Sequence, residues 1–336
     1  MSDAEVSEGR RQRQLLVKAA PELLLEILEY LGVEFFRENV ARLAICKHCY
    51  TLAYERIFLA DVKLTAKGLE RFLNTRQTRG KVRQMESVIR SVTVELHGFQ
   101  DLTSVLPAGT DFKYEPSSYA INKAIEDCYP KLEKWNDQLF QNLLRLDRFM
   151  QGCHSLESFR FGAFAERLLF PDQPPRSVWR RYLYQKAVPW IICNDNITTL
   201  DLDICYTSLR KHGAKPKHHI CSAIAVLLPQ LHRLRLRMPH ICPVALQPAD
   251  NEDGTSPVVS LKEVIVNLDM TEESPGVPNL GGFKHNSGGC NRYSFETFDS
   301  LITRIEKQAT LLAVQLNTGN CESGLILSLC GRRDIL

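Results

Sequence analysis

The chain has 336 residues, of which 44% are hydrophobic and 24% are charged. That length suits one elongated domain with a small appendage, or two domains, and the hydrophobic fraction is enough for a substantial core. The formal charge is only +3, from 42 basic and 39 acidic residues. This balance excludes a strong overall field, so we expect neither a nucleic acid nor a membrane as partner.

The 11 cysteines are scattered along the chain, and several lie inside apolar segments, where a thiol behaves as a small hydrophobic side chain. The first fourteen residues mix acids and bases and lack the pattern of a secretory signal. Nor does any uncharged apolar run reach the roughly 18 residues of a membrane span. We therefore expect an intracellular protein with reduced cysteines, in the cytoplasm, the nucleus or both.

Residues 1–14 are polar, and we expect them to form a disordered tail. The stretch AAPELLLEILEYLG at residues 20–33 predicts a helix, because Pro21 suits its first turn and Gly32 is typical of a helix end. At about 100° per residue, one broad face collects Ala20, Leu23, Leu24, Ile27, Leu28 and Leu31. Leu25 falls outside this face, where a single core would leave it exposed.

A second helical stretch is predicted over residues 39–58, and beyond it the pattern changes. The apolar spacing L-x-x-L-x-L now recurs along the chain. Its copies are Leu59/Val62/Leu64, Ile89/Val92/Val94, Leu156/Phe159/Phe161, Ile197/Leu200/Leu202, Leu231/Leu234/Leu236, Leu261/Val264/Val266 and Leu311/Val314/Leu316. Helix-capable segments lie between copies, as at residues 119–150 and 294–309. A strand followed by a helix, repeated in series, is the unit of a leucine-rich-repeat solenoid.

We therefore predict an α/β fold in which a helical segment precedes an irregular leucine-rich-repeat-like solenoid of strand–helix repeats. The boundaries are placed at residues 15–60 for the helical segment and 61–336 for the repeats. The spacing between copies is irregular and exceeds the roughly 20 to 29 residues that is usual for such repeats. An ordinary α/β domain with alternating strands and helices is the alternative.

The N-terminal residues also match a family pattern that starts Leu-Pro-x-Glu-Leu-Leu, continues through Ile-Leu and ends in Tyr-Leu. Here residues 20–24 read APELL and residues 27–31 read ILEYL. The second half of that pattern corresponds to ICKHCYTLA at residues 45–53, followed by Ile-Phe at 57–58. Over residues 20–64 the chain thus resembles an F-box, and as a whole it resembles fungal-type F-box proteins with a leucine-rich-repeat-like C-terminal domain.

Two positions depart from the F-box pattern. Ala20 stands where the family usually has leucine, and Cys49 stands where it usually has an aromatic residue. Both replacements remove apolar area, which is worth roughly 25 cal/mol per Å² when it is buried. Tyr50, the next residue, offers apolar area beside Cys49.

The resemblance implies a three-helix module that binds a Skp-family adaptor and, through it, a cullin. The chain would then be the substrate-recognition subunit of an SCF-type (Skp–cullin–F-box) ubiquitin ligase, with no catalysis of its own. The residues implied to contact the adaptor are Pro21, Leu24, Leu25, Leu28, Leu31, Leu43, Cys46 and Ile57. The alternative is an adaptor-independent scaffold with a degenerate F-box, and Leu25 distinguishes the two, since a scaffold must cover it within the chain.

Target binding is predicted from the run RLRLRM at residues 233–238. Alternation places Arg233, Arg235 and Arg237 on one face of a strand, where they could bind acidic or phosphorylated peptides. Loops at residues 247–257 and 272–294 are further candidates for target contacts. The alternative is a solvated basic strand face.

Other chemistry is expected to be absent, and we predict no metal, no cofactor and no enzyme activity. CKHC at residues 46–49 would need partners in HHIC at 218–221, or His212, to complete a zinc site, yet Cys46 falls on a position that the F-box pattern buries. Asp201 and Asp203 share a strand face, which is more typical of a solvated surface than of acid–base catalysis. The basic aromatic run WRRYLYQK at residues 179–186 is expected to be an amphipathic helical insert.

Overall fold

The structure is a computed structural model. It describes residues 20–39, 41–42, 47–74, 85–99, 118–164, 182–184, 187–204, 209–210, 220–238, 241, 243–248, 260–269, 303, 307–308, 310–311 and 324–330. Predictions that fall on the remaining residues, including the tail at 1–14 and most of the loops, lie outside this range. No helix in the described ranges is long and apolar enough to cross a membrane.

The described chain is a mixed α/β structure. Its strands are β1 (Asp61–Thr65), β2 (Ser91–Leu96), β3 (Ser158–Ala163), β4 (Leu183–Tyr184), β5 (Thr199–Asp203), β6 (Leu209–Arg210), β7 (Arg233–Met238), β8 (Glu263–Asp269) and β9 (Gly324–Cys330). Its α-helices are α1 (Pro21–Glu38), α2 (Lys47–Leu52), α3 (Ala66–Asn74), α4 (Ser118–Gly152), α5 (Ala187–Ile192) and α6 (Ile220–Leu227). A π-helix covers Ala53–Phe58, and a 3-10 helix covers Pro243–Leu246.

Seven of these strands form one parallel sheet in the order β1-β2-β3-β5-β7-β8-β9, while β4 pairs with β6 in a separate two-stranded sheet. Each strand of the large sheet is therefore hydrogen-bonded to the next one along the chain. A doubly wound sheet reverses its strand order at a switch point. In this sheet the strand order follows the chain from β1 to β9 without such a reversal.

Two apolar columns cross the sheet in register. The first column is Val62, Val92, Phe159, Leu200, Leu234, Val264 and Leu325. The second, two residues further along each strand, is Leu64, Val94, Phe161, Leu202, Leu236, Val266 and Leu327. From β1 to β8 both columns are buried in one continuous core. The same two positions of β1, β2, β3, β5, β7 and β8 therefore contribute to the apolar face of the sheet.

The turns that lead into the strands also repeat. The carbonyl of Ala60 accepts hydrogen bonds from two consecutive amides, those of Arg90 and Ser91. The same paired acceptance recurs at the next four steps along the sheet, with the carbonyls of Arg90, Glu157, Thr198 and His232 as acceptors. One backbone geometry thus precedes β2, β3, β5, β7 and β8.

Six of the seven predicted apolar triplets are confirmed in this register, and the two strand positions of the seventh are not among the described residues. Leu311 is helical and exposed, while Val314 and Leu316 lie outside the described residues. The seventh strand of the sheet is β9, which runs from Gly324 to Cys330. Its triplet escaped the sequence pattern because Glu322 occupies the first apolar position.

Helices pack on the apolar face of the sheet. The predicted helix at residues 119–150 is confirmed as α4, whose Leu139, Leu143 and Leu146 lie in the core with the sheet. The expected helical insert at residues 179–186 is wrong where it is described, because Leu183–Tyr184 pairs with Leu209–Arg210 as a short strand. The predicted helix at 294–309 lies almost wholly outside the described residues.

The N-terminal helices form a second, smaller buried cluster made of Leu24, Leu28, Phe36, Ala53 and Ile57. Gly32 interrupts α1 with φ of +72°, a backbone conformation that L side chains rarely adopt, so the predicted helix break is confirmed there. After the break, Arg37 bonds to the edge strand of the sheet. Its Nη2 donates to the Asp61 carbonyl at 2.6 Å, and its Nη1 lies 3.4 Å from Asp61 Oδ2.

A pair of substitutions tests the two faces of the sheet. Replacing buried Leu202 by alanine should lower the free energy of unfolding by about 2 to 5 kcal/mol, because it leaves a cavity in the second apolar column. The control Thr93→Ala, on the opposite face, should change it by no more than about 0.5 kcal/mol. Chemical denaturation measures both, and equal losses would contradict the assigned faces.

Candidate functional site

The first candidate surface is the outer face of α1. Tyr30, Leu23, Ile27 and Leu31 are adjacent around the helix and are 91%, 53%, 40% and 39% exposed. These four residues are called the apolar stripe below. The single apolar face expected for this helix is therefore divided, since one half is buried in the N-terminal cluster and the other half is open.

The predicted adaptor contacts fall on both halves of that face. Leu31 belongs to the apolar stripe, but Leu24, Leu28 and Ile57 are buried within the N-terminal cluster. A partner could reach those three only if the cluster opened, so the surface accessible for docking is the stripe. Leu25 is half-buried against the cluster, and it therefore does not distinguish a receptor from a scaffold.

The remaining predicted contacts are not described in full. Leu43 and Cys46 lie outside the described residues, and Pro21 is described only as the start of α1. Among the described residues of the N-terminal helices, Tyr50 is also exposed, and it stacks on Tyr54 with ring centroids 5.3 Å apart. It belongs to α2, the helix that contains the departure at Cys49.

The second candidate surface is the sheet face opposite the apolar columns, called the polar sheet face. It is formed by Asp61, Lys63, Thr65, Ser91, Thr93, Glu95, Ser158, Arg160, Gly162, Thr199, Asp201, Asp203, Arg233, Arg235, Arg237, Glu263, Ile265 and Asn267. Short side chains predominate on β2 and β3, and charged side chains predominate from β5 to β7. The predicted placement of three arginines on one face of β7 is confirmed.

Those arginines are not an isolated row of cations. Arg233 Nε donates to Glu263 Oε2 at 2.6 Å, and Arg237 Nη1 donates to Asp203 Oδ2 at 3.4 Å. Arg235 lies 4.0 Å from Asp201 Oδ2. The acidic partners come from the neighbouring strands β5 and β8, so each arginine meets a carboxylate across the sheet.

Asp201 is shared between two cations. Arg160 of β3 approaches its Oδ2 to 3.5 Å from one side, and Arg235 of β7 approaches the same atom from the other side. Burial raises the pKa of Asp201 above its ordinary value, and the charge of Asp203 raises it further. The two arginines act in the opposite direction, because they stabilise the carboxylate.

The pair Asp201 and Asp203 lies on one strand face, as predicted. Each carboxylate lies beside at least one guanidinium of a neighbouring strand, so the pair serves as the acidic half of a charge ladder. Within the described ranges, no group of three or more His, Cys, Asp or Glu side chains could hold a metal ion. The second half of the conceivable zinc motif, residues 218–221, is described only at Ile220 and Cys221, and Cys221 is buried in the core.

The two aromatic residues that the structure describes in the run at 179–186, Tyr182 and Tyr184, are engaged inside the protein. The hydroxyl of Tyr182 lies 3.1 Å from the Leu96 carbonyl oxygen and 2.9 Å from that of Phe164, and these two acceptors share its one proton. The hydroxyl of Tyr184 donates to Asp137 Oδ1 at 2.7 Å. Both side chains are buried, so they do not offer the open stacking platform that binding of single-stranded nucleic acid requires.

Comparison of the chain with protein-family models, with curated proteins and with solved structures gives no match. The two candidate surfaces therefore stand on their own geometry.

Two functional candidates were missed by sequence reasoning. Arg160 stands alone between phenylalanines in β3, and its proximity to Asp201 becomes visible only with the register of β3 and β5. Arg37 follows the helix break and resembles an ordinary surface residue until Asp61 is placed beside it. No local pattern in either stretch indicates these contacts.

The charge ladder predicts how the titration of Asp201 responds to its neighbours. Arg235→Gln should raise the pKa of Asp201 further, and Asp203→Asn should lower it. Carboxyl-carbon NMR titration of the full chain measures both shifts, and a shift in the opposite sense in either variant would contradict the ladder.

The same group affects stability. Since the folded state holds the Asp201 proton more tightly than the unfolded state, its contribution to the free energy of unfolding falls as pH rises from the ordinary carboxyl pKa through the raised one. Asp201→Asn should remove that part of the pH dependence. Denaturation at a series of pH values checks this, and an unchanged profile would contradict the raised pKa.

Proposed function

We propose that the chain is the substrate receptor of an SCF-type ubiquitin ligase, with residues 15–60 as the F-box and the repeats as the target-binding domain. The observation that carries the proposal is the apolar stripe of α1. A helix whose inner face already fills a cluster, and whose outer face still exposes three aliphatic side chains and a tyrosine, is suited to a partner's groove.

The proposed contact surface is the apolar stripe, and it replaces part of the set implied by the family resemblance. Leu31 is common to both, whereas Leu23, Ile27 and Tyr30 take the place of the buried Leu24 and Leu28. Pro21, Leu25, Leu43 and Cys46 remain candidates from the family resemblance, whereas Ile57, like Leu24 and Leu28, would be reached only if the N-terminal cluster opened.

Several features support a leucine-rich-repeat-like solenoid for the second part of the chain. The parallel strands follow one another in chain order, two buried apolar columns pass through six of them, and one paired backbone acceptor recurs before each of five strands. In a solenoid each repeat contacts only its neighbours, and an extended surface is left for a partner. The proposed target-binding surface is the polar sheet face.

The link between the two parts also suits a receptor. Arg37 joins α1 to Asp61 of the edge strand, so the N-terminal cluster is held against the first repeat. A receptor accelerates transfer by raising the effective concentration of target lysines near the charged conjugating enzyme. A fixed connection limits the range of positions that a bound target can take.

A second candidate function is an adaptor-independent scaffold. The burial of Leu24, Leu28 and Ile57 inside the chain favours it, because these are residues that the family resemblance assigns to the adaptor. Under this alternative the N-terminal cluster only caps the first repeat, and the apolar stripe binds some other protein.

Co-expression with a Skp-family adaptor tests the proposal. The variant Leu23→Ser/Ile27→Ser should weaken adaptor binding at least tenfold, because two aliphatic side chains are worth about 1.5 to 3 kcal/mol each when fully buried. The matched control is Glu22→Ser/Glu29→Ser, on the opposite side of the same helix. Affinity is measured by calorimetry on purified proteins, and circular dichroism verifies that both variants are folded.

The outcomes separate the two candidates. Loss of binding in the apolar variant alone supports the receptor. A folded wild-type chain that does not bind the adaptor contradicts it and leaves the scaffold. Equal loss in both variants would mean that the helix, rather than its apolar stripe, is what the adaptor requires.

A further inference from the structure

We propose that the polar sheet face binds an acidic segment of the target protein through one carboxylate held by Arg160, Arg233 and Arg235. The inference rests on the proposed function, because it names the class of target for the surface assigned there. The inference can be tested without the adaptor, so its failure would be distinct from a failure of the receptor proposal.

The three arginines form a compact triangle on the face. Arg233 and Arg235 are two residues apart on β7, hence about 6.6 Å apart along the strand. Arg160 is in register with Asp201 of β5, and Asp201 is in register with Arg235, so two strand spacings of about 4.8 Å separate the two arginines. Side chains of this length can converge on one oxyanion from these positions.

Their guanidinium groups extend into solvent. The side chains of Arg160, Arg233 and Arg235 are 52%, 62% and 57% exposed, whereas Asp201 and Glu263 are less exposed than the arginines they approach. Ion pairs of this kind contribute only about 0 to 1 kcal/mol to stability. A guanidinium carries five N–H donors, so one contact with a carboxylate leaves others for a ligand.

The balance of charge indicates a single negative charge on the ligand. In the part of the polar sheet face that surrounds the triangle, four guanidinium groups on β3 and β7 stand against three carboxylates on β5 and β8, which leaves one positive charge in excess there. Arg235 is the least compensated of the four. In the described part of the chain, Arg235 forms an ion pair with Asp201 at 4.0 Å. Arg160 lies closer to the same carboxylate, at 3.5 Å.

The neighbours of the triangle fit a peptide side chain. Ser158 and Thr199, beside Arg233 in the same row, are short and leave room between Arg160 and Arg233. Ile265 lies next to Arg235 on β8 and provides an apolar contact. Arg237 is set apart from the triangle, because it pairs with Asp203 and is more deeply buried than the other arginines.

Fluorescence anisotropy with labelled hexaglutamate tests this inference on the full chain at low ionic strength, with hexaglutamine as the neutral probe. Arg235→Gln should weaken hexaglutamate binding about tenfold, the loss expected for one charge-assisted contact. Lys63→Gln is the matched control, since Lys63 is an exposed cation on the same face that pairs with Glu95. Asp201→Asn should tighten binding, because it removes the competing carboxylate.

The pattern of losses decides the result. Selective weakening by Arg235→Gln with Lys63→Gln unchanged supports the site. Equal weakening in both, equal binding of hexaglutamine, or no binding to the wild-type chain overturns it. A phosphoserine hexapeptide that binds where hexaglutamate does not would also overturn it, in favour of phosphate recognition. Arg235→Gln should still bind the adaptor, so that failure here is distinct from failure of the receptor proposal.

Discussion

The continuous burial of two apolar columns is the interaction on which the rest of this structure depends. The six strands β1, β2, β3, β5, β7 and β8 each contribute one buried side chain to each column, and each such side chain is worth about 1.5 to 3 kcal/mol when fully buried. A slip of one residue in any strand would turn its apolar pair to the other face. The columns therefore fix the register, and the register fixes which charged residues meet on the polar sheet face.

This constraint also separates the roles of the two buried clusters. The sheet and its helices bury their apolar side chains in one core, and the N-terminal helices bury theirs in a separate cluster around Phe36. Arg37 links the two clusters through backbone and side-chain contacts with Asp61 at the sheet edge. Neither cluster buries the apolar stripe of α1, so its side chains remain exposed to solvent. Their exposure is the physical basis of the proposed adaptor interaction.

Sequence reasoning predicted the strands well because their signal is local. An apolar pair two residues apart, preceded by a third apolar residue, identified β1, β2, β3, β5, β7 and β8. The full triplet does not occur at β9, where Glu322 stands at the first apolar position, although the apolar run GLILSLC is itself typical of a strand. The pattern also selected Leu311, which is helical. The α4 helix could be predicted equally well, since its apolar residues recur with a helical period over many turns.

The sites were predicted less completely, because their geometry depends on residues distant in sequence. The arginines of β7 were assigned to one face, yet their partners follow from strand order, which brings Asp201 and Glu263 to either side. Likewise, the period of α1 predicts a broad apolar face. Which half is buried depends on where Ala53 and Ile57 lie, and nothing within the helix itself determines that.

Site-specific photo-cross-linking between the full chain and a Skp-family adaptor tests the central claim most directly. A benzophenone side chain at position 27, within the apolar stripe, should cross-link to the adaptor, whereas the same group at position 29, on the glutamate side of α1, should not. Cross-linking at both positions, at neither, or at position 29 alone would contradict the assignment of the stripe as the docking surface.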